Sequence, residues 1–479
     1  MDLKQKAISG VKWTTLSTII TTILQLLQLA ILTRFLDPSA FGLMALVMVV
    51  IGFSQTFLDM GISNAIIHKQ KITKDQLSTL YWVNVLAGFL LFLIIIVIAP
   101  FIAEFYKEPE LTELVFIVAL TFIIQPFGQQ FMVLWQKKMR FGEIAKIDIV
   151  NKFISLVVSV YLAYKGYGVY ALVYGTLAGI ISQTMQFMYL GLKEYRPSFI
   201  FKLGEIKEFL SFGAYQMGEK GINYISANID KILIGRFMGM EALGFYNLAW
   251  QLIIFPLVKI NPIVNKVAFP LYAKVQHEPI KLSNYYTMSL SALFLIIVPL
   301  LVFMFFYSHE IVYIAYGNNW SMTADLLSIL VIVGLLKATG NPSGALILAI
   351  GRADVGFYLN LAWAIVVGVV LYVTMMFSND IMSVVYALLA LSLSTSYLYH
   401  YIIQKVSKVA YKQLVINFFK VLSITLIIGY FSYIIVYLID IKSDVISVLI
   451  GSMIYFIIYG MYIKKYEVST INIFRKKGI

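Results

Sequence analysis

The chain has 479 residues, 60% of them hydrophobic and only 13% charged, and its mean hydropathy is +0.85. That balance excludes a soluble domain and predicts an all-α polytopic membrane protein. The net charge of +13 would suggest nucleic acid in a soluble protein; here it reads as basic cytoplasmic loops, and no nucleic-acid partner is expected. Cysteine is absent, which excludes disulfides and thiol chemistry, and the four histidines (His68, His277, His309, His400) lack ligand spacing, so no metal site is expected.

Apolar runs predict about fourteen spanning helices: 12–35, 40–64, 77–103, 112–135, 144–164, 168–190, 208–235, 241–268, 283–307, 323–350, 354–377, 382–403, 414–438 and 444–463. Counted over the alternating loops and ends, the N-terminal side carries 25 Lys and Arg and the opposite side 5. The bias puts both termini in the cytoplasm. The longest outer loop, 307–322, is too short for a soluble domain, so function must be built inside the bundle.

Helix one is polar along one face through Thr14, Ser17, Thr21, Gln25 and Gln28. Interhelical hydrogen bonding is as good a reading of that face as a wet cavity. Arg34 follows at the outer mouth, as an anion-attracting group or an interfacial anchor. Asp59, near the cytoplasmic end of helix two, is a cap, a gate or an ion-coupling group. Helix four is interrupted at Gln125-Pro126-Phe127-Gly128. Helix five carries Lys152 beside Asp148, Asn151 and Ser155, where it lines a cavity or snorkels to a helix end.

The stretch 209–236 is long enough to cross a bilayer, yet it carries Gln216, Glu219, Asn223, Ser226 and Asp230 at steps of three and four. Such a stripe cannot face lipid and must meet partner helices or a hydrated cavity. Lys220 widens it. Glu219 is the leading candidate for coupling to H+ or Na+, because a desolvated carboxylate can titrate near neutral pH. Asp230 and Lys231, near the outer end, are expected to form an exposed pair. Arg236 stands at the outer mouth. Helix eight holds Lys259 between Pro256 and Pro262, as a ligand for an anion or a structural partner of Glu219. Helix ten holds Lys337, followed by Gly340 and Pro342.

The chain repeats. Residues 33–42 (Thr-Arg-Phe-Leu-Asp-Pro-Ser-Ala-Phe-Gly) align with 235–244 (Gly-Arg-Phe-Met-Gly-Met-Glu-Ala-Leu-Gly) at an offset of 202. A six-helix unit inserts both copies the same way up. The expected organisation is an N-terminal lobe at 1–205, a C-terminal lobe at 206–405, and two further helices with a basic tail at 406–479. The interrupted helices four and ten correspond, as gates, binding elements or packing kinks. Lys152, Lys220, Lys259 and Lys337 against one central carboxylate make the interior cationic and suited to an anion such as pyrophosphate. Gln25, Gln28, Gln125, Asn223, Ser226 and Asp230 would line the same cavity. No phosphate loop, paired ligand or nucleophile elbow is present, so an enzyme is not expected.

Asn228-x-Asp230-Lys231-x-x-Ile234-Gly235-Arg236, Leu243-Gly244-x-Tyr246-x-x-Ala249, Leu36-x-Pro38-x-x-Phe41-Gly42 and Phe57-x-Asp59-x-Gly61-x-x-x-Ala65-Ile66 resemble the polysaccharide exporters of the multidrug/oligosaccharidyl-lipid/polysaccharide superfamily, closest to Wzx-like flippases of the colanic and teichuronic acid branch. The resemblance implies two six-helix lobes of the multidrug-exporter type. It implies an undecaprenyl-pyrophosphate-linked oligosaccharide as substrate, moved between leaflets of a bacterial inner membrane by alternating access. Membrane lipids and the polymerase and glycosyltransferases of the same pathway are the implied partners, with no cofactor beyond a coupling ion. A lipid II flippase or a drug or cation antiporter would share this fold, although an antiporter wants an acidic cavity. A membrane-embedded glycan polymerase or ligase would want a larger outer loop.

Overall fold

The computed structural model describes residues 3–58, 63, 66–67, 69, 72–439 and 443–466. The described residues are helical throughout, with no strand, and form two compact units, Met1–Gly244 and Phe245–Ile479.

The first unit holds α1 (Leu3–Leu32), α2 (Pro38–Leu58), α3 (Lys74–Tyr106), α4 (Glu110–Ile124), α5 (Pro126–Lys137), α6 (Phe141–Tyr164), α7 (Tyr170–Gly191) and α8 (Lys207–Phe237). Local chemistry sets the starts. Asp37 Oδ1 accepts the Ala40 amide at 2.9 Å, with Pro38 opening the first turn of α2. Thr73 and Gln76 form a reciprocal capping box at α3. The interruption expected in helix four is real: α4 and α5 meet at 50° around Gln125. Pro126 has no amide proton to give the Phe122 carbonyl, and α3 closes on that spot through Gly88. A Cβ at Gly88 would stand 2.2 Å from the Phe122 oxygen and 2.6 Å from the Pro126 ring.

The repeated segments touch reciprocally. A Cβ at Gly42 would meet the Met240 carbonyl oxygen at 1.9 Å, and one at Gly244 would meet that of Pro38 at the same distance. Pro38 and Met240, like Gly42 and Gly244, are repeat mates at the offset of 202. Only glycine allows this backbone-to-backbone approach.

The second unit holds most of α9 (Gly239–Lys274), then α10 (Pro279–Phe306), α11 (Ser308–Tyr316), α12 (Ser321–Ala349), α13 (Ala353–Phe377), α14 (Ile381–Ser407), α15 (Lys412–Leu438) and α16 (Asp444–Tyr466). Helix α10 is its centre, with Leu293, Ile297 and Leu301 fully buried. Pro299 frees the Leu295 carbonyl in α10, and the Tyr459 hydroxyl of α16 donates to it at 2.9 Å. Tyr455 donates to the Pro299 carbonyl, also at 2.9 Å. The C-terminal helix is therefore docked by hydroxyls onto a proline defect. The loop at 307–322 is structured: α11 and a 3-10 turn (Asn318–Trp320) pack Tyr316 and Trp320 out of reach of solvent.

One expectation is corrected. The helix corresponding to the broken α4–α5 pair is not interrupted, since α12 runs continuously past Pro342. Neighbouring hydroxyls hold it on either side of the proline: Tyr399 donates to the Gly340 carbonyl at 3.3 Å, and the Tyr286 and Ser343 hydroxyls are hydrogen-bonded to each other at 2.6 Å. Among the described residues, eleven helices, or twelve with the bent pair, are long and apolar enough to span. The two remaining expected spans are α7 and α8, of 22 and 31 residues, long enough but too polar on that measure. The chain is a multi-pass membrane protein.

Candidate functional site

The sites expected from sequence are divided between the units. In the first, Lys152 Nζ donates to Gln28 Oε1 at 2.9 Å, and Gln28 Nε2 donates to Ser159 Oγ at 2.8 Å. Gln28 and Ser159 are buried and Lys152 is half-buried. Lys152 does not snorkel to a helix end; it completes a relay joining α1 to α6. Ser17 reaches the Ala145 carbonyl across the same contact at 3.4 Å, while Thr14 and Gln25 are exposed. The polar face of α1 therefore splits into an interhelical part and an open part. Asp148 accepts from Gln183 of α7 at 3.0 Å.

Helix α8 lies along α2. Tyr224 donates to the Met48 carbonyl at 3.1 Å over Gly52, Gly221 faces Phe53 and Phe57, and Gly235 faces Leu46. At 100° per residue the polar stripe centres roughly 140° away from this face. Ser226 and Asp230 are nevertheless buried and Asn223 is half-buried. The expectation that Asp230 forms an exposed pair is corrected: it is only 6% exposed, and its carboxylate accepts the Lys231 amide at 2.9 Å. Lys220 is exposed. The side chains of Gln216 and Glu219, like Asp59 as a whole, lie outside the described residues. Gln125 sits at the bend, its Oε1 buried with no partner in the protein. Arg34 is exposed and turns its guanidinium onto the Ala30 carbonyl; Arg236 lies over the Phe105 ring at 5.2 Å.

In the second unit Lys259 lies 6.0 Å from the Phe255 ring, and Lys337 lies 4.4 Å over the buried ring of Trp250. Lys337 also lines a cavity of about 490 Å³ between α12, α13 and α14. Its walls include Thr339, Trp363, Ser392, Tyr399 and His400. His400 was passed over in the sequence for want of a second ligand nearby. The signal was there: Ser392, Ser396, Tyr399 and His400 recur at helical spacing in an otherwise apolar span. Among the described residues no group of three or more His, Asp and Glu can hold a metal ion.

At the basic loops the first unit is pinned by ion pairs. Arg140 pairs with Glu143 and Glu194, and it lies 4.4 Å over the Trp135 ring. Lys138 pairs with Glu194 at 2.8 Å. Hydrogen bonds from Lys138 and then Arg140 hold the Glu194 carboxyl below its usual range.

Comparison with known proteins agrees with this architecture. A model of the polysaccharide biosynthesis protein family matches residues 31–325. The teichuronic acid biosynthesis protein TuaB of Bacillus subtilis is 39% identical over 364 residues, covering 74% of each chain. The lipopolysaccharide biosynthesis protein WzxC of Escherichia coli is 34% identical, over 75% of this chain and 73% of its own. Among solved structures, an inward closed lipid II flippase MurJ superposes with a TM-score of 0.74 at 14% identity, over 94% of this chain and 98% of its own. An inward-facing MATE transporter of the MOP superfamily gives 0.61 at 16% identity, over 83% and 99%. At those identities the structural likeness speaks for the fold alone. Family model and close relatives together place this chain in the polysaccharide biosynthesis protein family, as a homologue of the Wzx and TuaB proteins with the fold of the MOP transporters.

Proposed function

We propose that the protein is a flippase that carries undecaprenyl-pyrophosphate-linked oligosaccharide repeat units from the inner to the outer leaflet of a bacterial cytoplasmic membrane by alternating access. The observation that carries this reading is membership of a family whose relatives are named for polysaccharide biosynthesis and transport, including a succinoglycan biosynthesis transport protein and a probable glycan biosynthesis flippase. Lysines 220, 259 and 337 supply positive charge to the pyrophosphate and to acidic sugars, while Lys152, held by Gln28, contributes from within the helix packing. Glu219 or Asp59 couples transport to H+ or Na+. The two six-helix lobes follow the sequence repeat, both termini face the cytoplasm, and the polymerase and glycosyltransferases of the pathway act before and after the flip.

The test is surface glycan and lipid-linked intermediate in cells carrying Lys337→Ala, Lys259→Ala or Glu219→Gln at wild-type protein level. The expected result is at least a tenfold loss of surface polymer with intermediate retained on the cytoplasmic leaflet. Intermediate accumulating on the outer leaflet would instead favour a polymerase or ligase. Full export by all three variants would remove these charges from the site.

A further inference from the structure

Helix α15 is longer than a membrane needs. Its 27 residues span roughly 40 Å at about 1.5 Å per residue, against a hydrocarbon core of about 30 Å. The side chains show which end is surplus. Lys412, Gln413, Asn417 and Lys420 all lie toward its N-terminus, whereas 421–438 carries no charged or amide side chain. That apolar stretch covers roughly 27 Å, so Lys420 stands at the edge of the hydrocarbon, where headgroups begin. Helix α16 runs back beside α15 and reads the same way. Residues 445–463 carry no charged or amide side chain, and Lys464 and Lys465 follow in the last turn.

The seam between the two helices is held in place at this level. Lys420 lies 6.0 Å over the Tyr462 ring. Tyr462 stacks on Tyr459 at 6.3 Å, and the Tyr459 hydroxyl is anchored on the Leu295 carbonyl at 2.9 Å. Gln413 donates to Asn417 at 2.8 Å, and Asn417 donates to Ser291 of α10 at 2.8 Å. Gln413 precedes Lys420 by two turns on one face of α15, and Lys465 follows Tyr462 by one turn on α16. Helical side chains tilt toward the N-terminus, which is outward on α15 here and inward on antiparallel α16. The tilt brings Lys420 and Lys465 toward one level. Both lysines and Gln413 are exposed, so protein does not cover them.

The charge at this end of α14, α15 and α16 has one sign. Lys405 and Lys408 close α14, Lys412 opens α15, and Lys420, Lys464 and Lys465 complete the set, while 381–438 and 445–466 contain no Asp or Glu. Glu278, at the start of α10, is engaged by Lys281 at 2.5 Å. Lysines that only snorkel serve any headgroup. Two lysines flanking a fixed tyrosine at headgroup level, with no carboxylate beside them on their own helices, select for negative charge. We infer that the α15–α16 seam binds an anionic phospholipid, with Lys420 and Lys465 on the phosphodiester and Tyr462 beside the glycerol backbone. A zwitterionic headgroup would bring its own cation against these lysines. The site holds whatever the protein transports.

The purified full-length protein, stripped of lipid in a neutral detergent, is titrated with short-chain phosphatidylglycerol and with phosphatidylcholine of the same chains. Bound lipid is counted by native mass spectrometry. Wild type is expected to bind phosphatidylglycerol roughly tenfold tighter. That preference should shrink as NaCl rises from about 0.1 M to about 0.5 M. The double variant Lys420→Gln/Lys465→Gln removes the preference, Lys420→Arg keeps it, and Lys193→Gln, in the first unit, leaves it unchanged. Equal binding of the two lipids to wild type overturns the site, as does a preference that survives the double variant. Both lysines are exposed, so the double variant should melt at the wild-type temperature; if it does not, the salt series on wild type decides, and a preference indifferent to salt overturns the site. A short-chain prenyl pyrophosphate that displaces phosphatidylglycerol from wild type, and that the double variant no longer binds, gives the seam to a transported substrate, and the phospholipid site falls.

Discussion

Lys152 in α6 and Lys337 in α12 look alike in the sequence, each a cation well inside a largely apolar span. The structure treats them differently. Around Lys152 the polar atoms are answered: the ammonium by Gln28, and Gln28 by Ser159. Around Lys337 the ammonium rests on the Trp250 ring, and the cavity beside it leaves Ser392 Oγ and His400 Nδ1 without protein partners. A closed network specifies how helices pack. An open one leaves buried polar atoms unanswered, at a cost in folding stability. Two intramembrane lysines therefore differ in the state of their polar neighbours, which their places in the sequence do not give.

The largest expected effect comes from cutting the closed network. Gln28→Leu strands a half-buried ammonium, although the Ser159 hydroxyl keeps its bond to the Leu156 carbonyl, and should cost roughly 2–3 kcal/mol. The double variant Gln28→Leu/Lys152→Met should recover more than half of that loss, because the uncompensated charge is gone. Thermal unfolding of the four proteins of this cycle in detergent provides the check. Additive losses would mean that the relay is not a unit and that Lys152 is free to serve a substrate.

The open network predicts the opposite sign. Ser392→Ala removes a buried hydroxyl that has no partner to lose, and it should leave stability unchanged or raise it by up to about 1 kcal/mol. The melting temperature in detergent checks the contrast, since a destabilised Ser392→Ala would show that the hydroxyl is already satisfied in the folded protein.

Much of this was legible in advance, and the failures have physical causes. Hydropathy gave the helices, because lipid forces every backbone group into helical pairing. The repeat at 33–42 and 235–244 carried no forecast of a contact, yet its aligned glycines are the positions where two backbones meet, at Gly42–Met240 and Gly244–Pro38. The break at Pro126 was read correctly, and the same signal failed at Pro342 because Tyr286 and Tyr399, distant in sequence, brace α12. Asp230 was placed at an exposed end, yet it is buried. His400 was missed because its partner Thr339 lies on another helix and the orphaned nitrogen is visible only once α12 and α14 are packed together. Tertiary hydrogen bonding decided the cases of Pro342 and His400, and local spacing does not encode it.

The smallest effect belongs to the ion pairs at the basic loops, which are closed like the Lys152 relay but wet. Lys138 and Arg140 hold the Glu194 carboxyl below its value in an unfolded chain. A carboxyl so depressed binds fewer protons folded than unfolded. Its contribution is therefore fully present above the unfolded value of about 4.3 and is lost as pH falls through the lower folded value. Because the Glu194 side chain is 31% exposed, solvent screening keeps the term below about 1 kcal/mol. The melting temperature of wild type should exceed that of Glu194→Gln at pH 7, and the gap should close as the pH is taken below 4. High salt should narrow the same gap at neutral pH, whereas it should leave the Gln28–Lys152 coupling nearly intact, because a half-buried relay is screened far less than a surface pair. A gap at Glu194 that persists in acid would trace its role to packing against the loop instead of to charge.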